Sequence, residues 1–144
     1  MLTRPENRVV ARFLDGLSLR GTTIDFSPVR RSFRLTDAGA TYEIDLTKLK
    51  ALFFVRDFEG NAAYNEKKGF FARQNHGKKV MVEFKDGEVI FGYTLTYSSQ
   101  GLGFFLFPGD PESNNEKLFV VHASTRSVRL TPLAGAFPQA PQVG

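Results

Sequence analysis

The chain has 144 residues, 42% apolar and 24% charged, the composition of a folded protein rather than a disordered or collagen-like one. Its net charge of +4 permits an anionic partner without requiring one. Cysteine is absent, which excludes disulfides, thiol nucleophiles and thiolate metal sites.

No apolar run nears the roughly 20 residues that span a bilayer. The start, MLTRPENRVV, lacks a signal peptide's apolar core. These features predict a cytoplasmic protein with no membrane contact. Phenylalanine is unusually frequent, at 15 residues with no Trp. That is more aromatic surface than small domains are expected to bury, and it points to an interface.

Residues 1–6 read as a polar lead-in. Val9, Ala11 and Phe13 then alternate with Val10, Arg12 and Leu14, the period of a strand with one buried face. Asp15-Gly16 predicts a two-residue type I′ hairpin, in which both central residues take positive φ. Residues 17–26 return as a second strand, with Gly21 at a bulge or bend. Pro28 marks a turn. Residues 32–35 predict a third strand, and 41–46 and 49–55 the closing strands. Ile44, Leu46, Leu49, Leu52 and Phe54 are the core candidates there.

Residues 56–77 read as a connecting segment. Asn61 suits a helix N-cap, and 62–68 has room for about two helical turns. Phe58, Tyr64, Phe70 and Phe71 predict that the segment is packed rather than loose.

At Lys79 the chain repeats itself. RVVARFLDGLSLRGTTIDF (8–26) returns as KVMVEFKDGEVIFGYTLTY (79–97). Phe13, Asp15, Gly16 and Gly21 recur as Phe84, Asp86, Gly87 and Gly92, all offset by 71 positions. Val80, Val82 and Phe84 form the inward set. Residues 104–107 predict a third strand, 108–116 a longer solvated loop, and 117–122 with 127–130 the closing strands. The segment 132–144 is uncharged and rich in Pro, Ala and Gly, and is expected to be disordered. The expected fold is mainly all-β: two tandem SH3-like or Sm-like small β-barrels. They occupy 7–55 and 78–131 and are joined by the packed 56–77 segment with its short helix.

Three groups could carry function. The Asp-Gly pairs read as hairpin geometry rather than as an acidic pair. Arg30, Arg31 and Arg34 form the densest basic cluster. Strand alternation puts Arg30, Ser32 and Arg34 on one face, and Arg31 with Phe33 on the other. Such guanidinium groups can grip a phosphate, although a solvated charged strand is the plainer reading. The third group is aromatic: Phe91, Tyr93, Phe104, Phe105 and Phe107. Alternation sends Phe104 with Leu106 one way and Phe105 with Phe107 the other. One set is core; the other is expected at an internal contact, with the first barrel or the 56–77 segment, rather than at a base-stacking surface. Phe70, Phe71, Phe91, Tyr93, Phe105 and Phe107 are therefore the interface candidates.

His76 and His122 stand alone. No paired-carboxylate, metal-ligand, nucleophile-elbow or phosphate-loop pattern accompanies them. Asp110 and Glu112 sit in a loop where a weak cation site is less expected than solvation. The expectation is no enzyme, no metal and no cofactor.

Three resemblances add to this reading. Arg30 and Arg34 have the Arg-x-x-x-Arg spacing that resembles the arginine motif of PilZ domains, which bind cyclic di-GMP. Asp25-Phe26-Ser27 matches part of that family's second motif but lies upstream, and Arg30 stands where its glycine belongs. VVARFLDGLSLRG and VMVEFKDGEVIFG resemble the opening motif of Sm-like barrels, which assemble into rings and bind RNA. The base-reading Asn and closing Arg-Gly of that family have no counterpart here, so the resemblance implies barrel geometry without the RNA pocket. DFSP, LFFVRDFEGN, VEFKDGEVIFGYTL and DPESNNEKLFVV look like an uncharacterised bacterial domain family, covering about residues 9–130.

The functional expectation is a non-catalytic binding or regulatory module acting through an unidentified protein partner. The alternatives are a sensor of an anionic ligand such as a cyclic dinucleotide, held by Arg30, Arg31 and Arg34, and an RNA-binding protein.

Overall fold

The computed structural model describes residues 6–58 and 77–130. The expected helix at 62–68, Phe70, Phe71, His76 and the 132–144 tail lie outside those residues. The described chain is all-β. Its strands are β1 (Asn7–Arg12), β2 (Ser18–Thr23), β3 (Ser32–Asp37), β4 (Ala40–Asp45), β5 (Ala51–Val55), β6 (Lys78–Phe84), β7 (Val89–Thr94), β8 (Gly103–Pro108), β9 (Asn115–Val121) and β10 (Thr125–Leu130). The helices among the described residues are two single 3₁₀ turns, Leu46–Lys48 and His122–Ser124.

The strands form one antiparallel sheet in the order β10-β6-β7-β8-β9-β5-β1-β2-β3-β4. Each half has the same internal order, with its fifth strand beside its first. Registers match as well. Phe33 faces Ile44 across β3–β4, and Phe104 faces Val120 across β8–β9. Ala11 faces Leu52 across β1–β5, and Val82 faces Val128 across β6–β10. The offset is 71 positions for the first three strands of each half (Phe33 to Phe104). It is 76 for the last two (Ile44 to Val120, Leu52 to Val128). The extra residues lie in the β8–β9 loop.

The sequence reads as two tandem barrels, but the strands form a single open sheet. The reason is the pairing of β5. Its outer edge meets β9 of the other half, with Leu52 opposite Phe119 and Phe53 opposite Leu118. Strands β4 and β10 remain as the outer edges.

This shared pair separates two cores. Leu52 and Phe54 of β5 join Phe119 and Val121 of β9 in a core with Val9, Ala11, Phe33, Leu35 and Ile44. Ala51, Phe53 and Val55 join Leu118 and Val120 in a second core with Val80, Val82, Phe84, Phe104 and Leu106. Side chains alternate along a strand, so β5 and β9 give one face to each core. Both strands are therefore apolar in unbroken runs, ALFFV and LFVV, as strands buried on both faces must be.

Each Asp-Gly pair turns a hairpin, though not in the expected type I′ form. Gly16 and Gly87 both have φ of 94°, and neither Asp has positive φ. The Gly16 N–H donates to Phe13 O (3.2 Å), and the Phe13 N–H to Leu17 O (2.9 Å). Phe84, Gly87 and Glu88 repeat both bonds. This is the three-residue loop, a type I turn closed by a left-handed glycine. The Asp15 carboxylate accepts the Leu17 N–H at 2.9 Å, and Asp86 accepts that of Glu88 at 3.0 Å. A two-residue turn with positive φ at both positions occurs instead at Ala38-Gly39.

Gly21 and Gly92 mark a close strand approach. A Cβ at Gly21 would collide with the Thr36 carbonyl and with Leu35. A Cβ at Gly92 would collide with the Phe107 carbonyl and with Leu106, the same two positions in the second half. Thr22–Thr36 is the sole register pair joining β2 and β3, so the sheet bends there.

Candidate functional site

The turn at 27–30 and strand β3 place the arginine cluster. The Arg30 N–H donates to Ser27 O (3.2 Å), closing the turn around Pro28. The Asp25 carboxylate then fixes the start of β3, accepting the Arg34 backbone N–H at 2.9 Å and the Thr23 hydroxyl at 3.2 Å. The Leu46 N–H donates to Arg31 O (2.6 Å), which ties the cluster to the end of β4.

Arg30, Arg31 and Arg34 line one recess of about 350 Å³, together with Asp25, Ser32, Phe33 and Glu43. That volume lies at the lower end of the range for small-ligand sites, roughly 300–1,000 Å³. The three guanidinium groups are exposed and join no ion pair among the described residues. Phe33 points into the core, so alternation leaves Ser32 and Arg34 on the outer face of β3. A second recess, about 310 Å³, adjoins the first across Asp25 and Arg34 and is lined by Glu6, Thr22, Thr23, Ile24, Thr36 and Thr41.

The Asp45 carboxyl, at the foot of the cluster, is held below its ordinary value of 3.8. The main cause is the Thr47 hydroxyl, which donates to it at 2.6 Å. The Thr47 N–H adds a bond at 2.9 Å, and the charge of Arg31 acts in the same direction.

The structure thus brings together the three arginines singled out from sequence. It adds Glu43, which sequence reading passed over. Glu43 lies directly opposite Arg34 in the β3–β4 register. The alternation of TYEI in β4 carried that signal, because Ile44 had to face the core.

The aromatic candidates do not form one exposed face. Phe91 and Tyr93 are buried on β7. Phe105 packs against the first core, its ring 5.2 Å from Phe119 and 6.1 Å from Phe54, with Lys117 Nζ 4.7 Å from its centroid. Phe107 is half-buried and pairs with Tyr93 across β7–β8. Phe104 and Leu106 point into the second core.

The 108–116 loop is anchored rather than solvated. Asp110 and Ser113 are buried. The Arg56 N–H donates to Asn114 O (2.9 Å), Arg56 Nε to Ser113 O (3.1 Å), and Asn114 Nδ2 to Asp57 O (2.8 Å). His122 lies 2.8 Å from Ser98 O and packs on Tyr97 and Phe104. Among the described residues, no group of three or more His, Asp or Glu is placed to hold a metal ion, and no helix is long and apolar enough to cross a membrane.

The recess coincides with a joint elsewhere in the sheet. By the repeat registers, Arg31, Arg34, Glu43 and Asp45 correspond to Leu102, Phe105, Phe119 and Val121. Those four apolar residues pack on the first core. One position in the repeat is thus an internal apolar contact in the second half and a charged, open surface in the first.

No curated protein and no solved structure matches the chain. Residues 5–131 match a family of unknown function, DUF6982, and the chain belongs to that family.

Proposed function

We propose that the chain is a non-catalytic binding module that takes a small phosphate-bearing ligand in the arginine recess. The observation that carries this reading is the recess itself, where three guanidinium groups without ion-pair partners among the described residues line one cavity. Guanidinium groups bind phosphate oxygens bidentately, and Ser32 offers a hydroxyl beside them. Glu43 and Asp25 add acceptors for a ligand's hydroxyl or amino groups. Phosphate plus such groups is the chemistry of a nucleotide, and a cyclic dinucleotide is its sharpest form.

A protein partner is the second reading. Val29, 85% exposed, and Ile24, 55% exposed, flank the arginines, and apolar residues beside a charged patch suit a protein contact. RNA is the third, and would use the same charges with steep salt dependence.

A thermal-shift panel of nucleotides, cyclic dinucleotides and short RNAs at two salt concentrations tests these readings. A ligand at a hundredfold excess over its Kd adds about 2.7 kcal/mol of stability. The expected result is a shift with a nucleotide that persists at the higher salt and is lost in Arg30→Ala/Arg34→Ala. A shift that survives that double substitution sinks the recess as the site. A salt-sensitive shift with RNA alone moves the assignment to RNA. No shift with any compound leaves the protein-partner reading.

A further inference from the structure

The β5–β9 joint is a head-to-tail contact. It pairs the fifth strand of one half with the fourth strand of the other. Such a contact is not satisfied by pairing two copies, and a chain built on it can go on adding copies, into a ring or an open filament. Among the described residues, the free edges are β10, a fifth strand, and β4, a fourth strand. They are the two complementary halves of the same joint.

Repeating the joint between two molecules would place Val128 opposite Glu43 and Arg129 opposite Tyr42. These are the counterparts of Leu52 opposite Phe119 and Phe53 opposite Leu118. The side chains do not permit it. Phe53 enters the second core from β5, and its counterpart on β10 is Arg129. Phe119 enters the first core from β9, and its counterpart on β4 is Glu43. Phe105 packs beside Phe119, and its counterpart is Arg34. An intermolecular joint would bury Arg129 in one neighbour's core and Glu43, with Arg34 beside it, in the other's. Taking these charges out of water opposes assembly, for a buried ion pair as well as for a lone charge.

We infer that Glu43 on the β4 edge with Arg34 beside it on β3, and Arg129 on the β10 edge, end the described sheet and keep the chain from polymerising through its own joint. Charged residues on edge strands act this way against edge-to-edge pairing. The same charges leave the β3–β4 face open. The inference stands on the repeat registers alone and does not depend on the ligand.

The test uses the full chain, two edge variants, Arg34→Phe/Glu43→Phe and Arg129→Phe, and the triple variant that combines them, followed by sedimentation velocity. The wild type is expected to sediment as a monomer. Each variant alone is also expected to be monomeric, because its other edge is still charged. An equimolar mixture is expected to form a one-to-one complex of twice the monomer mass. The triple variant is expected to form a concentration-dependent ladder of oligomers. Circular dichroism and a cooperative melt confirm folding, and Glu43→Leu with Arg129→Leu replaces any Phe variant that fails to fold.

Three outcomes overturn the inference. One is a wild type that already self-associates. Another is a folded pair of variants that does not associate on mixing. The third is self-association of Arg34→Phe/Glu43→Phe without its mate, which would reflect general stickiness and not the joint.

Discussion

Lys50 Nζ stands 2.7 Å from Asp86 Oδ2, so a lysine at the head of β5 is bound to the first hairpin of the second half. Glu88 is its second carboxylate partner. The Lys50 side chain is only 7% exposed and lies over the Phe84 ring at 4.9 Å. Its backbone is used as well. The Lys50 N–H donates to Arg12 O (2.7 Å), and Lys50 O accepts the Ser124 hydroxyl at 2.7 Å. One residue therefore links β1, β5, the β6–β7 hairpin and the His122–Ser124 turn.

This geometry predicts an asymmetry. Asp86→Asn/Glu88→Gln leaves a buried ammonium without a carboxylate and is expected to cost roughly 2–4 kcal/mol. Lys50→Met frees two carboxylates that are 29% and 46% exposed and can rehydrate, so about 1 kcal/mol or less is expected. Urea unfolding of both variants measures the difference. Equal losses would contradict the assignment of the buried charge to Lys50.

Acid sensitivity follows from the same pair. The Lys50 hydrogen bond, with the Glu88 N–H, holds the Asp86 carboxyl below its ordinary value of 3.8. A carboxyl whose folded pKa is depressed contributes stability above its unfolded pKa. It loses that contribution as pH falls through the folded value. Stability is therefore expected to hold above about pH 4 and to decline below it. The decline is expected to be shallower in Lys50→Met, because the folded and unfolded pKa values converge. Midpoints of urea unfolding between neutral and strongly acid pH supply the test. Parallel curves for the two proteins would refute it.

Glycine substitutions separate close approach from backbone conformation. Gly21→Ala and Gly92→Ala place a methyl group against a neighbouring carbonyl, and each is expected to cost about 2–4 kcal/mol. Gly16→Ala and Gly87→Ala meet no atom but require φ near 94°, with an expected cost of about 1–2 kcal/mol. Thermal unfolding of the four variants should fall into these two pairs. A mild Gly92→Ala beside a severe Gly21→Ala would break the equivalence of the halves.

The joint itself should be a dominant source of stability. Phe119 is almost fully buried between the halves. Phe119→Ala is expected to cost about 3–5 kcal/mol. Glu43→Ala, at the equivalent register position, is expected to change stability by about 0.5 kcal/mol or less, because its side chain is exposed. The two variants compared by urea unfolding test whether one repeat position has two physical roles.

Much of the fold is legible in the residues. The period of two in Val9, Ala11 and Phe13, and in Val80, Val82 and Phe84, fixes which side faces inward. The repeated Asp-Gly and mid-strand Gly fix where the chain turns and where strands approach. The loss of arginines in SSQGLGFF, relative to the RRSFR stretch, already separates the two halves chemically.

What the sequence by itself determined is therefore local: strands, turns, inward faces and the duplication. The tertiary structure decided how the halves meet. Runs such as ALFFV and LFVV say that a strand is buried on both faces, but not which strand lies beside it, because pairing joins residues sixty or more positions apart and backbone hydrogen bonds carry no residue identity. That pairing is what made β5 and β9 a shared wall. It is also what left Arg34 and Glu43 on an open face while their counterparts Phe105 and Phe119 went to the core. The burial of Lys50 has the same origin, since its carboxylates come from the other half.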